Sequence, residues 1–546
     1  MLNLSVLLED AARETPDREA VVFGDLRLSY AFIDSVANQV ANLLRSRGIG
    51  PGDKVALSSP NLPYFPMVYF GALKAGAAVV PLNVLLKPRE IAYHLGDSDA
   101  KALFCFEGTP ELPLGETGYA GFEQAEGCEH FFLLPADPGA SESPIKGAEL
   151  FWAALANQPN TFDAVQCDPN DTAVIIYTSG TTGQPKGAEL SHSNLLMNTM
   201  VNDTLFVRTL HDTSLVTLPL FHIFGQTCVM NVGFYRRATL VLQARFEAKQ
   251  AIELMVKEKV NLFAGVPTMY WGLLTDDTSA EDIATIKENL RVAVSGGSAL
   301  PMEVLKGIKD KFGVDVLEGY GLSETSPVAT FNRPDRPTKP GSIGLPVWGV
   351  ELKLIDDDWK EIEGEGPGEI AIRGHNVMKG YYKRPEATAE AIRDGWFRTG
   401  DVARRDEDGY YYIIDRSKDM IIRGGYKLPL SSRRSTGCNA GKATGQAGGQ
   451  AHEVTHELCR ARRVPWNRGH RSRTPWRANQ GRSTLRRTHA RGASRPGRRQ
   501  RRHDSEVGAG APTGRTHGDR ERARPRPRRA DDHARRARRA DERPAH

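Results

Sequence analysis

The sequence predicts an α/β fold: a large N-terminal domain of doubly wound sheets, a small β subdomain, and a disordered, Arg-rich C-terminal tail. Three observations support this prediction. Helix and strand patterns alternate through residues 1–340, as in parallel sheets covered by helices. Short antiparallel strands with Gly and Pro turns follow over 341–415, predicted at 341–346, 351–355 and 369–373. Residues 429–546 then lack the apolar side chains that a core requires.

The N-terminal pattern begins with a helix and continues in strand–helix units. Glu9 and Asp10 interrupt the first apolar patch, which indicates an amphipathic helix rather than a signal peptide. Residues 30–47 carry apolar side chains at helical spacing, and Gly48 follows as a stop. The weaker periodicity of 107–165 allows no prediction. Further strands are predicted at 55–57, 77–82, 102–106, 173–177, 215–219, 238–242, 262–266, 291–294 and 314–317, and helices at 63–75, 88–96 and 246–257.

The most informative stretch is TAVIIYTSGTTGQPKGAELSHSNL, residues 172–195. A buried strand is followed by a loop rich in hydroxyls and glycines and then by a helix start with Ser191 or Ser193 as N-cap. Such a strand, loop and helix would offer backbone N–H groups and a helix dipole to an anion. The loop is not the common G-x-x-x-x-G-K-[ST] sequence, because Lys186 precedes Gly187. Its composition nevertheless predicts polyphosphate binding, through the residues Thr178, Ser179, Gly180, Thr181, Thr182, Gly183 and Lys186.

Composition bounds the class of protein. Hydrophobic residues make up 40% of the chain and no run of 18 apolar residues occurs, so the sequence predicts large cores and no membrane span. The 6 cysteines are scattered without metal-ligand spacing. This pattern favours a reducing, cytoplasmic setting.

The net charge of +5 hides two regions of opposite sign. Residues 431–546 contain 31 Lys and Arg against 10 Asp and Glu, hence +21, and the other 41 basic and 57 acidic residues give −16. Our hypothesis is a reading-frame shift near residue 428, because loss of Ile, Phe and Tyr with excess Arg is typical of GC-rich DNA read out of frame. The alternative is a genuine basic arm for nucleic acid or acidic surfaces. Two tryptophans make a poor stacking platform, so we expect no nucleic-acid partner.

YTSGTTGQPKG, residues 177–187, resembles the phosphate-binding motif of the adenylate-forming (acyl-activating) superfamily. This superfamily includes acyl-CoA synthetases, luciferases and peptide-synthetase adenylation domains. The resemblance covers roughly residues 1–428. Further motifs follow in the expected order, namely GGS at 296–298, EGYGLSE at 318–324, WFRTGD at 396–401 and DRSKD at 415–419.

The resemblance implies roles for individual residues. Tyr320 would stack on adenine, Asp401 would accept hydrogen bonds from both ribose hydroxyls, and Glu324 with Thr182 would hold Mg²⁺ on the phosphates. Arg416 would reach the nucleotide, and Lys418 would be the pivot of a hinge over 416–428. Within this hinge, Gly424 and Gly425 match the glycines that let pantetheine pass. The implied nucleotide-binding residues are Thr178, Ser179, Gly180, Thr181, Thr182, Gly183, Lys186, Gly296, Gly297, Ser298, Tyr320, Gly321, Ser323, Asp401, Arg416 and Lys418. The implied catalytic residues are Thr182, Lys186, His222 and Glu324.

His222 lies in the apolar run PLFHIFGQT, residues 219–227. From the residues alone it is more often a satisfied core histidine, whereas the resemblance places it beside an acyl pocket that it gates. Four apolar residues would line an acyl tunnel or equally belong to the core, namely Phe221, Phe224, Val266 and Pro267.

The sequence departs from the superfamily after Lys427. The tail stands in place of the usual small mobile domain, in which a lysine in a Pro-x-x-x-x-Gly-Lys context completes the adenylation site. No such motif follows here, and Lys442 lacks the proline. We therefore predict that this chain binds ATP but turns over poorly, because a charge stabiliser and a lid that excludes water are both missing.

The implied reaction has two steps. A carboxylate attacks the α-phosphate of ATP to give acyl-AMP and pyrophosphate, and the thiolate of CoA then displaces AMP. The motifs are most similar to those of medium- and long-chain fatty acyl-CoA ligases. The expected partners are therefore a fatty acid, ATP, Mg²⁺ and CoA, with at most peripheral membrane contact. The alternatives are an aromatic acid, transfer to a carrier protein, or a non-catalytic nucleotide binder with a basic arm.

Overall fold

The computed structural model describes residues 2–178, 183–205, 211–364, 366–416, 420–423 and 426–429. Several predictions lie outside these residues: those for the tail, for the hinge glycines 424 and 425, and for Ser179, Gly180, Thr181, Thr182 and Lys418. The side chain of Arg416 also lies outside the description.

The strands are numbered in chain order. They are β1 Glu19–Phe23, β2 Leu26–Ser29, β3 Lys54–Ser58, β4 Ala78–Pro81, β5 Ala100–Phe106, β6 His130–Leu134, β7 Glu149–Leu150, β8 Thr172–Thr178, β9 Lys186–Ser191, β10 Thr213–Val216, β11 Thr239–Leu242, β12 Leu262–Gly265, β13 Val292–Ser295, β14 Val316–Gly321, β15 Val328–Phe331, β16 Leu345–Pro346, β17 Val350–Ile355, β18 Gly368–Gly374, β19 Gly380–Tyr381, β20 Ile392–Arg393, β21 Trp396–Arg405, β22 Tyr411–Arg416, β23 Met420–Arg423 and β24 Tyr426–Pro429.

The helices alternate with these strands. They are α1 Val6–Glu14, α2 Tyr30–Ser46, α3 Tyr64–Lys74, α4 Pro88–Ser98, α5 Leu114–Phe122, α6 Phe151–Leu155, α7 His192–Thr204, α8 Val232–Arg236, α9 Ala248–Lys257, α10 Pro267–Thr275, α11 Ala280–Asn289, α12 Met302–Phe312 and α13 Pro385–Ala391. A π-helix spans Phe224–Asn231, and a short 3₁₀ helix spans Ser323–Thr325. No helix in the described part of the chain is both long and apolar enough to cross a membrane.

Two large sheets organise the fold. The nine-stranded sheet has the order β16-β15-β14-β13-β12-β10-β11-β1-β2, and the eight-stranded sheet has the order β19-β9-β8-β4-β3-β5-β6-β7. Their central strands are parallel, whereas β2, β15 and β16 in the first and β9 and β19 in the second pair antiparallel. The predicted α/β class with doubly wound sheets is confirmed, and the antiparallel edges are an addition to it.

A smaller antiparallel sheet follows, with the order β17-β18-β21-β20. Strand β22 belongs to the same sheet and pairs antiparallel with β21. This sheet contains the strands predicted near 351–355 and 369–373. The strand expected near 341–346 is β16, which pairs with β15 in the nine-stranded sheet instead.

Helix α3 ties the two large sheets together. All of its residues are buried, as expected for a helix that is apolar on every side. It packs on β3 and β4, and Phe70 meets Phe234 of α8 edge to face with ring centroids 4.8 Å apart. The buried Lys74 at its end pairs with Asp34 at 2.8 Å and Glu9 at 3.2 Å. The core is therefore continuous between the sheets.

The predicted helix start with Ser191 as N-cap is confirmed, but a strand that the sequence pattern did not indicate separates this helix from the phosphate loop. The loop turns back into β9, which pairs antiparallel with β8 and places Lys186 opposite Thr178. Ala188 and Leu190 are buried and alternate with the half-buried Glu189, the period of a strand. Helix α7 begins at His192, capped by Ser191, whose Oγ accepts a hydrogen bond from the Asn194 N–H at 3.1 Å. The helix dipole is therefore one strand away from the loop.

Candidate nucleotide and acyl site

A cavity of about 1280 Å³ opens at the carboxyl ends of β8, β12, β13 and β14. This edge is where open α/β sheets bind ligands. Of the residues predicted for the site, it is lined by Thr178, Gly183, Lys186, His222, Gly296, Gly297, Ser298, Tyr320, Gly321, Ser323, Glu324 and Asp401. Residues distant in sequence are thus brought to one cavity.

A direct hydrogen bond joins Tyr320 and Asp401. The Tyr320 hydroxyl, at the end of β14, donates to Asp401 Oδ2 on β21 at 2.7 Å. Asp401 is only 3% exposed, and its backbone N–H donates to Thr399 Oγ1 at 3.1 Å. The two sheets that carry these residues are held together at the cavity, and the carboxylate is fixed in position.

Glu324 lies at the junction of three elements. Its Oε1 accepts hydrogen bonds from Thr178 Oγ1 on β8 at 3.2 Å and from the Tyr381 hydroxyl on β19 at 3.0 Å. Burial, together with the charge of Glu324, raises the pKa of Tyr381, so this phenol stays protonated and remains a donor. The Nζ atom of Lys186 lies 5.2 Å from the centroid of the Tyr381 ring.

Sequence reasoning missed Tyr381. It reaches the site because β19 returns to pair with β9, with Tyr381 opposite Ala188. A two-residue strand has no periodicity, so the sequence around 380–381 carries no pattern that would reveal this pairing.

Glu318, on β14, holds the loop after β13 in place through a hydrogen bond. Glu318 Oε1 accepts a hydrogen bond from the Leu300 N–H at 2.9 Å, and burial raises the pKa of this carboxyl group. Gly297 has φ +82°, a conformation that favours glycine. At Gly321 a Cβ atom would lie 1.7 Å from the Pro327 carbonyl oxygen, so the turn after β14 requires glycine.

The other end of the cavity is apolar. Phe221, Phe224, Val266 and Pro267 line it, and the wall continues in Leu218, Cys228, Val232, Leu262, Ala264 and Val294. Part of this wall is the π-helix, a conformation that is frequent at functional sites. His222 is exposed and lines the cavity, and its Nδ1 accepts from the Phe224 N–H at 3.2 Å. It is therefore not a core histidine.

The carboxylates at the cavity suit a metal ion that is bound partly by the protein and partly by a ligand. Within the described ranges no cluster of three or more His, Cys, Asp or Glu side chains could hold an ion. Mg²⁺ commonly takes one or two carboxylates and completes its shell with substrate phosphates and water. Glu324 supplies a carboxylate of this kind at the cavity.

Known proteins share this architecture and sequence. The model of the AMP-binding enzyme family matches residues 8–382. A long-chain-fatty-acid–CoA ligase of Bacillus subtilis is 34% identical, over 78% of this chain and 78% of its own length. A feruloyl-CoA synthase of Amycolatopsis is 35% identical, over 76% and 79%. The crystal structure of an anthranilate CoA ligase with anthranoyl-AMP matches with TM-score 0.70 and 28% identity, over 79% of this chain and 81% of that one.

The family match spans more than half of the chain, and it includes the phosphate loop, the 296–298 loop, the EGYGLSE motif and Tyr381. Ligases of this family use ATP and CoA and act on small-molecule acids. The chain belongs to the AMP-binding enzyme family, the adenylate-forming acid–CoA ligases.

Proposed function

We propose that this chain activates a medium- or long-chain fatty acid with ATP to acyl-AMP and transfers the acyl group to CoA. The observation that carries the proposal is a single cavity with a polar end and an apolar end. Thr178, Glu324 and Asp401 line the first, and Phe221 and Val232 line the second. An acyl adenylate has the same division of polarity.

The polar end supplies the groups that the first step needs. Lys186 would neutralise phosphate charge, Glu324 would hold Mg²⁺ against the phosphates, and Asp401 would accept the ribose hydroxyls. The loop at 296–298 and Tyr320 would hold adenine. Catalysis of this kind consists mainly of positioning and of stabilising spread negative charge. Thr182, Arg416 and Lys418 complete the proposed set from the sequence alone.

The apolar end suits an alkyl chain, because each methylene removed from water contributes about 0.8 kcal/mol. His222, which lines the same cavity, is proposed as the gate of this apolar end. The long-chain-fatty-acid–CoA ligase of Bacillus subtilis favours a long-chain fatty acid. The Amycolatopsis feruloyl-CoA synthase and the anthranilate CoA ligase favour an aromatic acid as the second candidate.

A panel of acids tests the proposal and separates the two candidates. Purified full-length chain is given ATP, Mg²⁺ and saturated fatty acids of increasing length or cinnamic and benzoic acids, each with and without CoA. Pyrophosphate release and acyl-CoA are measured. We expect fatty acids to be preferred, with slow overall turnover. Preference for the aromatic acids would replace the fatty acid by the second candidate, and acyl-CoA formed as fast as by a complete family member would contradict the expected impairment.

We further propose that residues 429–546 arose by a shift of reading frame. Translation of codons 420–546 in all three frames tests this. A frame that yields an amphipathic domain with Pro-x-x-x-x-Gly-Lys supports the proposal. Absence of such a frame would leave an acid-activating body with an added basic arm.

A further inference from the structure

One polar side chain lines the cavity beside its apolar wall and has no part in the assignments above. Asn202 lies on α7, is 4% exposed and faces the cavity. Helix α7 packs against the π-helix and α8, which contribute Cys228 and Val232 to the wall. Asn202 therefore brings an amide group to the end of the cavity that the acid would occupy.

The hydrogen bonds of two neighbouring amides fix the orientation of Asn202. Its Nδ2 donates to the Asn198 carbonyl oxygen at 2.8 Å and to Asn198 Oδ1 at 3.1 Å. Asn198 is itself held by Val328, whose N–H donates to Asn198 Oδ1 at 3.2 Å and whose carbonyl accepts from Asn198 Nδ2 at 2.9 Å. If the Asn202 amide were rotated by 180°, its Oδ1 would face two oxygens of Asn198 that are also acceptors, and both hydrogen bonds would be lost.

The atom that remains for the cavity is Asn202 Oδ1. It accepts no hydrogen bond from the described residues, although the residue is almost fully buried. An acceptor that a ligand covers without supplying a donor is unfavourable. A purely alkyl chain that displaces water from this atom would leave it unpaired, whereas a chain carrying a hydroxyl at that point would donate to it.

We propose that Asn202 is a specificity-determining residue, and that the site prefers an acid with a hydroxyl remote from its carboxylate over the same acid without it. This inference rests on the proposed function, because it requires the acid to occupy this cavity. Hydroxyalkanoic and hydroxyaryl acids both present the required donor. The test distinguishes the two classes of acid because it uses ligands with an alkanoyl chain and ligands with a cinnamoyl group.

The experiment uses the full-length chain and matched pairs of hydrolysis-resistant acyl-adenylate analogues, acyl sulfamates of adenosine. One member of each pair is unsubstituted, and the other carries a hydroxyl at successive positions along an alkanoyl chain or at the para position of a cinnamoyl group. Calorimetric titration gives the affinities. At least one hydroxylated member should bind about 5–10-fold more tightly than its partner, the effect of one net hydrogen bond to a buried acceptor.

Asn202→Leu should abolish this preference while binding the unsubstituted member at least as well. Cys228→Ala, a change at the same wall without loss of an acceptor, should keep the preference. Equal affinities within every wild-type pair would overturn the proposal, as would a preference that persists in Asn202→Leu. If that variant does not fold, the wild-type pairs alone decide. Analogues that bind no more tightly than AMP would instead contradict the proposed function, so the two failures are distinguishable.

Discussion

The two ends of the cavity are held by different forces. At the polar end, the proposed nucleotide end, hydrogen bonds between separate elements fix the polar groups: Tyr320 to Asp401 at 2.7 Å and Tyr381 to Glu324 at 3.0 Å. At the apolar end, the proposed acyl end, side chains such as Phe221, Cys228 and Val232 form a wall by apolar contact. Hydrogen bonds are directional, whereas apolar packing depends mainly on area and volume. The nucleotide end therefore requires particular residues, and the acyl end requires only a shape.

The largest effect should follow loss of the carboxylate at the nucleotide end. In Glu324→Gln, the affinity for MgATP should fall by about 10–100-fold, because a neutral amide is a weak ligand for a hard cation. Affinity for ATP without metal should change much less. Calorimetric titration with and without Mg²⁺ measures both.

Glu390→Gln is the matched control, since Glu390 also lines the cavity but lies on an exposed part of α13. It should bind MgATP like the unmodified chain. An equal loss in both variants would show that general negative charge, rather than Glu324, is responsible.

Asp401→Asn should weaken AMP binding by about 10-fold or more, because hydrogen bonds to a charged acceptor are worth about 1.5–3 kcal/mol. The comparison of AMP with 2′-deoxy-AMP locates the effect. The unmodified chain should discriminate between them, and the variant should discriminate less. Unchanged discrimination would remove Asp401 from the ribose site.

A change at the acyl end should act through volume alone. Val232→Phe should weaken binding of long-chain acyl-adenylate analogues by about 10-fold, since overpacking typically costs 1–3 kcal/mol. AMP and short-chain analogues should bind as before. A parallel loss of AMP affinity would contradict the separation of the two ends.

The smallest effect is expected at His192, away from both ends. Burial lowers the pKa of His192 to about 4, and its Nδ1 accepts a hydrogen bond from the Leu4 N–H at 3.0 Å. The unfolded chain binds this proton near pH 6.5, so stability should be fully present above that pH and be lost as the pH falls from about 6.5 to 4. His192→Gln should flatten the dependence of Tm on pH in this window by a few degrees, at unchanged AMP affinity at pH 7. A shift in AMP affinity would show that α7 couples to the nucleotide end.

The same contrast explains what could be predicted from the sequence. Long periodic segments such as residues 30–47 appear as helices because their apolar spacing decides their burial. The motif residues around Glu324 and Asp401 are recognisable because directional bonds restrict residue type.

Features that depend on tertiary pairing were not predictable. Strand β9 is absent from the sequence prediction, which goes from the loop to a helix start at Ser191 or Ser193, because the short alternation of Ala188 and Leu190 follows a loop dense in glycines. Tyr381 enters the site through a strand of two residues. The side chains of the apolar wall are of the same types as those of a hydrophobic core. From the sequence they therefore do not indicate whether the acid is alkyl or aryl.

The most direct test of the account is calorimetric titration of the full-length chain with AMP and with a long-chain acyl sulfamate of adenosine. If both ends belong to one site, the analogue should bind at least about 100-fold more tightly than AMP, because even a few buried methylenes contribute about 0.8 kcal/mol each. Equal affinities would mean that the apolar end does not receive the acyl chain, and they would contradict the account.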